Sequence, residues 1–251
     1  MSSRKLIITG GSRGIGFEIV RGALKDGYQV VVVGKNKISL DQAKTDLEDF
    51  GAVSTCEVDL SNRDSVLSFC EAVNDPVYGL INNAGICKVR RIDENQSLDE
   101  WDEILATNLA APYLLTANLL SKIQDGGRII NISSQLGKEG RRGYGAYCAS
   151  KFGLIGLTKC WAKELGHRRI TVNAVCPGWV DTEMSRVDSQ RIADEKGVSL
   201  ENYLQEITSP LELGRLSSPS EVAGLIRFLL SEDAAGISGR DWLMHTIWNQ
   251  E

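Results

Sequence analysis

Histidine is scarce in this 251-residue chain: only His167 and His245 occur. Two imidazoles are too few for a zinc site built on histidines, and they leave little room for a histidine-based triad. The six cysteines, Cys56, Cys70, Cys87, Cys148, Cys160 and Cys176, include no Cys-x-x-Cys pair and sit among apolar neighbours. That is the pattern of small core residues in a reducing compartment, so neither a disulfide framework nor a metal is expected. Five prolines mark no boundary, and no linker, repeat or low-complexity tract is visible, so residues 1–251 are expected to form a single domain. No apolar run reaches the ~18 residues that span a bilayer. Nothing at the N-terminus fits a secretory leader, and a cytoplasmic protein without a membrane partner is expected. Positive charge is also short, with 28 Lys and Arg against 33 Asp and Glu for a net −5. A nucleic-acid partner is therefore disfavoured.

What is present is alternation. Short β-branched runs at Lys5–Thr9, Gln29–Val33, Ser54–Val58, Gly79–Ile81, Arg128–Ile132 and Ile170–Val175 read as buried strands. Helix-length amphipathic stretches near 14–26, 39–50, 62–73, 98–121, 147–166 and 219–231 lie between or after them. Such alternation predicts an α/β fold, a doubly wound parallel sheet with helices on both faces. Ser39 with Gln42, Ser97 with Glu100, and Ser218-Pro219 with Glu221 resemble capping boxes. Gly51 and Gly166 read as helix stops. Residues 183–213 break the rhythm with polar, helix-prone sequence (Val187–Glu195, Leu200–Ile207), which suits a lid over a substrate.

Two places carry chemistry. Strand Leu6–Thr9 runs into Gly10-Gly11-Ser12-Arg13-Gly14-Ile15-Gly16 and then a helix. Glycines at that turn allow backbone to approach a pyrophosphate, and the helix start offers unpaired N–H groups. After the second strand come Gly34-Lys35-Asn36, with no acid. A carboxylate there would repel a 2′-phosphate, whereas Lys35 and Arg13 would pair with one, so NADP is expected in preference to NAD. Further on, Tyr147 and Lys151 stand four residues apart, one turn along a helix face. A free phenol titrates near 10, and a neighbouring cation is expected to lower it. Ser134 closes the strand Arg128–Ile132 thirteen residues earlier, and Asn82-Asn83-Ala84-Gly85 follows Gly79–Ile81.

Taken in order, these motifs resemble the short-chain dehydrogenase/reductase family over about residues 4–240. The family's Thr-Gly-x-x-x-Gly-x-Gly is Thr9 to Gly16, its Asn-Asn-Ala-Gly is Asn82 to Gly85, and its active-site asparagine is Asn108. Its serine is Ser134, its Tyr-x-x-x-Lys is Tyr147 and Lys151, and its Pro-Gly turn is Pro177-Gly178 with Thr182 after it. The resemblance implies a Rossmann-type fold and an NADPH-dependent reductase of a ketone or aldehyde, of the 3-oxoacyl or polyketide ketoreductase kind. Tyr147 would be the general acid, Ser134 would bind the reacting oxygen, and Lys151 would lower the tyrosine pKa and hold the ribose. Asn108 would hold a water. It further implies cofactor contacts from Gly10, Ser12, Arg13, Ile15 and Gly16, from Lys35 and Asn36, from Asp59 and Leu60, and from Asn83, Ala84 and Gly85. Pro177, Gly178, Val180 and Thr182 would complete them. A homotetramer or dimer is the family expectation.

Ser134 and Tyr147, with nearby Gln135, Tyr144, Trp179 and Met184, are the substrate-pocket candidates. Lys88, Arg90, Arg91, Lys138, Arg141 and Arg142 form basic clusters suited to an anionic or carrier-bound carbonyl substrate. Two departures stand out. Asp125-Gly126 lies where acyl-carrier reductases tend to carry a basic residue, and the glycine pair of the family's closing strand is replaced by Thr246-Ile247, with Trp242 and Trp248 nearby. The competing reading is a non-catalytic dinucleotide-binding regulatory protein on the same scaffold, which would have no need of the tyrosine–lysine pair.

Overall fold

The computed structural model describes residues 4–94, 97–211 and 213–244. Strands β1 (Lys5–Thr9), β2 (Gln29–Gly34), β3 (Val53–Glu57), β4 (Val77–Asn82), β5 (Ile123–Ile132), β6 (Thr171–Pro177) and β7 (Asp241–Met244) form one sheet in the order β3-β2-β1-β4-β5-β6-β7. Every pairing is parallel. Because β1 pairs with both β2 and β4, the strand order reverses there, and the crevice beyond the carboxyl ends of these strands is where such sheets take ligands.

Both faces of the sheet are buried, which is why the strands read as continuous apolar runs. Leu6 and Ile8 point to the side covered by α1 (Gly14–Lys25), α2 (Lys37–Leu47) and α9 (Pro219–Leu230). Ile7 points to the other side, under α3 (Arg63–Ala72), α5 (Ala111–Leu119) and α6 (Gly145–Leu165). The period of two along β1 thus divides the core into two layers. Helix α4 (Leu98–Leu105) runs through a π-helical turn, Ala106–Ala110, into α5. Beyond β6, α7 (Glu183–Lys196) and α8 (Leu200–Thr208) pack on each other around Ala193, Tyr203 and Ile207, with Trp179 against them.

Several local signals act as the sequence suggests, and others do not. Ser218 and Glu221 form a reciprocal capping box with Pro219 at the first helical position. Ser97 caps α4, but the Glu100 carboxylate is taken by Arg90 at 2.8 Å. Helix α2 begins two residues before Ser39, because the Asn36 side chain accepts from Ser39 N at 2.9 Å and serves as the cap. The α6 helix ends at Leu165 with Gly166 as its C-cap, but the glycine does not turn left-handed. It stays right-handed and opens a 3₁₀ turn, and the left-handed residue is Arg169, with φ 57°. β7 lies outside the six strands read from hydrophobic patterning; the family likeness alone implied a closing strand. The Thr246-Ile247-Trp248 departure lies outside the described residues.

Burial should outweigh capping in α9. Ile226 is wholly buried, and Ile226→Ala is expected to lower the unfolding free energy by about 2–5 kcal/mol. Ser218→Ala removes one cap and should cost about 1 kcal/mol. Urea denaturation of both variants, followed by circular dichroism, checks that order.

Candidate active site

Three glycines of the loop, Gly10, Gly11 and Gly16, have no room for a Cβ. A Cβ on Gly16 would lie 2.1 Å from the Gly10 carbonyl, and one on Gly10 would lie 2.9 Å from Ala84 Cα. Gly10 and Gly14 also take positive φ, 66° and 56°. The helix that follows differs from most others in the chain. Side chains of Asn36, Asn62, Ser97, Thr182, Ser199 and Ser218 cap α2, α3, α4, α7, α8 and α9. α1 has no side-chain cap and no acid in its first turn. Its first N–H groups and partial positive charge remain free to meet an anion. A bare backbone cradle beside an uncapped helix start fits a dinucleotide pyrophosphate.

The cradle is held to the sheet by two side chains. Thr9 Oγ1 accepts from Asn83 N and Ala84 N, both at 3.0 Å. Asn83 Nδ2 donates to Thr9 O at 2.9 Å and to Gly10 O at 3.0 Å. The ends of β1 and β4 are thereby locked together at the switch point. The far wall of the crevice reaches the same loop, since a Cβ on Gly14 would touch Thr182 Cγ2 at 3.5 Å. Thr182 is itself positioned by its capping box with Ser185, and the turn before it by a bridge from Val180 to Ser217.

Across the crevice, α6 carries Tyr147 and Lys151. The Lys151 ammonium is buried, donates to Ile132 O at 2.8 Å and lies 5.5 Å from the centre of the Tyr147 ring. Ser134, whose Oγ accepts from Leu136 N at 3.1 Å, lies near enough to the Tyr147 phenol to oppose its rise in pKa, and Ser133 ties the strand end to the helix through Lys151 O at 2.9 Å. Asn108 sits in the π-helical turn with no exposure. Its amide donates to Ile86 O at 2.8 Å and to Ser150 Oγ at 3.2 Å, and its carbonyl accepts from Ile86 N at 2.8 Å. The side chain is thus committed to fixing the segment after Gly85 against α6, and a Cβ on Gly85 would lie 3.3 Å from Lys151 Nζ. The four residues singled out in the sequence meet in one place.

The electrostatics differ from the expectation. Burial pulls Lys151 down to about 8. Burial likewise pushes the Tyr147 phenol above its ordinary value, with the Cys87 thiol adding to the rise and the Ser134 hydrogen bond opposing it. Desolvation therefore dominates, and Tyr147 is a protonated acid near neutrality rather than a ready phenolate.

Other candidates fall into two groups. Asp59 accepts from Ser61 N and Oγ at 3.0 and 2.6 Å and pairs with Lys35 at 2.9 Å. Arg13 reaches Glu183 on α7 at 2.9 Å. Both pairs are exposed, and such pairs contribute ~1 kcal/mol or less, so an incoming phosphate can displace them. Asn36 is occupied as a cap and Leu60 packs in the core. Gln135 bonds Glu139, Trp179 packs into the α7–α8 cluster, and Met184 is half-exposed. Most of the basic clusters are neutralised, Lys88 by Glu103, Arg90 by Glu100, Arg91 by Asp93 and Lys138 by Asp241. Arg141 instead lies over the rings of Tyr144 and Trp179 at 5.0 and 4.9 Å. Sequence reasoning missed Cys87, Asp188 and Arg191. No spacing rule marks them, because segments far apart in the chain bring them near, as in the Tyr144–Asp188 hydrogen bond.

The family model described as "short chain dehydrogenase" matches residues 4–193. The chain is 37% identical over 243 residues to the 3-oxoacyl-[acyl-carrier-protein] reductase of Aquifex aeolicus, covering 93% of this chain and 92% of that one. It is 36% identical to the acetoacetyl-CoA reductase of Rhizobium meliloti, covering 94% and 95%. Among solved structures, a variant of actinorhodin polyketide ketoreductase with NADPH superposes with a TM-score of 0.92 at 32% identity, covering 99% and 98%. With its crevice, its Tyr147–Lys151 pair and this match over most of its length, the chain belongs to the short-chain dehydrogenase family.

Proposed function

We propose that the chain is an NADPH-dependent reductase of the 3-oxo group of an acyl substrate, free or bound to a carrier. The observation that carries this reading is the meeting of Ser134, Tyr147 and Lys151 beside a glycine cradle that no side chain fills. The named activities of the similar proteins support the acyl part of it.

Gly10 to Gly16, with the start of α1, would hold the pyrophosphate, and Arg13 and Lys35 would exchange their surface partners for the 2′-phosphate. When bound, the nicotinamide supplies a hydride for the carbonyl carbon. Tyr147, which burial keeps protonated near neutrality, donates the proton to the carbonyl oxygen. The Ser134 hydroxyl fixes that oxygen and stabilises its developing charge. The Lys151 ammonium balances the phenolate left behind, and Asn108 keeps the Ile86 backbone and α6 in register around it. α7 and α8, within residues 183–213, act as the lid.

Tyr147→Phe keeps the ring and loses the proton, and should lower kcat by about 10²–10⁴ while NADPH binding, read by fluorescence, persists. Retained turnover would exclude Tyr147 as the acid. Arg13→Ala combined with Lys35→Ala should raise the KM for NADPH much more than that for NADH, and equal changes would place the 2′-phosphate elsewhere. Below about 8 Lys151 is an ammonium, and as pH rises through that value it becomes neutral. The kcat/KM for reduction should therefore fall above pH about 8, although Tyr147 is still protonated there. A profile flat to pH 10 would show that this charge is not needed.

A further inference from the structure

Helix α7 covers the crevice with few apolar side chains. It buries Ser189 and Ala193, and its Asp188 and Arg191 side chains keep only 20% and 37% of their exposure. Both carboxylate oxygens of Asp188 are engaged. Tyr144 Oη donates to one, and Arg191 Nη2 donates to the other at 2.8 Å. Arg191 also reaches Glu195 at 2.5 Å. Tyr144 is itself buried, three residues before Tyr147. On its outer side the ring is covered by Arg141, which donates to Tyr203 Oη on α8 at 3.4 Å. The Cys87 thiol feels both Asp188 and Lys151, so the lid's ion pair and the buried ammonium lie within electrostatic reach of one residue. A hydrogen-bonded ion pair is thus joined to a buried tyrosine three residues from Tyr147, on the segment that leads into the catalytic helix.

We propose that Tyr144, Asp188 and Arg191 form a polar end wall that restricts this enzyme to short-chain 3-oxoacyl substrates. This rests on the acyl reading above. In an apolar pocket each added methylene would raise affinity about fourfold. Against this wall an added methylene displaces water from charged groups and returns no hydrogen bond to them, so that gain is lost or reversed. The lid sorts substrates by chain length while Ser134 and Tyr147 handle the carbonyl.

The test is kcat/KM for NADPH oxidation with the 3-oxobutanoyl, 3-oxohexanoyl, 3-oxooctanoyl and 3-oxodecanoyl thioesters of N-acetylcysteamine. The wild-type protein should prefer the shortest by about tenfold or more over the longest. Asp188→Leu with Arg191→Leu should flatten or invert that order. Asp188→Asn, which keeps an acceptor for Tyr144, should preserve it. NADPH binding reports folding of each variant, and the wild-type series decides even where the double variant does not fold. Wild-type rates that rise with chain length, or a folded double variant with the wild-type order, would overturn the end wall and leave the acyl reading intact. No turnover of any thioester, with turnover of simple ketones, would remove the acyl reading and the end wall with it.

Discussion

Where the strand order of a parallel sheet reverses, the backbone beyond the last ladder bond needs partners from elsewhere, since buried N–H and C=O groups are costly to leave unpaired. Here Thr9 and Asn83 supply them. One hydroxyl takes two N–H groups and one amide serves two carbonyls, so the carboxyl ends of β1 and β4 are held as a unit. The glycine loop starts from that unit, Gly16 sits against the Gly10 carbonyl, and Thr182 faces Gly14 across the space a Cβ would take. The placement of the glycine loop follows from this tie.

The catalytic helix is set by a second group of buried polar contacts. Asn82 Nδ2 donates to Asn131 Oδ1 at 2.8 Å, and Asn131 Nδ2 donates to Thr158 Oγ1 at 2.8 Å, linking β4 and β5 to α6 behind Lys151. Asn108, turned inward by its π-helical turn, ties the Ile86 backbone to the same helix. π turns of this kind recur at functional sites because they re-aim one side chain without ending the helix. The cost falls on Lys151, whose ammonium is buried with the Ile132 carbonyl as its hydrogen-bond acceptor. That penalty lowers its pKa, and the same dryness raises that of Tyr147. Two opposed shifts leave an acid that keeps its proton beside a base that gives one up easily.

Much of this was legible from residue order. β1, β2 and β6 lie within a residue or two of their apolar runs, and the glycine loop, Ser134, Tyr147 and Lys151 fall where strand ends and helix spacing put them. Signals that depend on one hydrogen bond were less legible. Asn36 outcompeted Ser39 as a cap because its position and extended φ of −104° let its side chain reach Ser39 N. Gly166 carried on in a right-handed turn, leaving Arg169 to take the left-handed one. The pairing of surface charge was the least legible. The clusters around Lys88 and Lys138 look free in the sequence, yet Glu103 and Asp241, distant along the chain, neutralise them.

The order of amino acids by itself determined the alternation of buried strands and helices, the bare turn before α1, and the one-turn spacing of a phenol and an amine. These rest on local periodicity and on the absence of side chains, which are properties of neighbours in the chain. Only the tertiary structure decided how acidic those groups are and which cations are already paired. It alone brought Asp188 of α7 to Tyr144, the residue before the catalytic helix. Desolvation and ion pairing depend on what lies within a few ångströms in space, and that is set by packing between segments far apart in the chain.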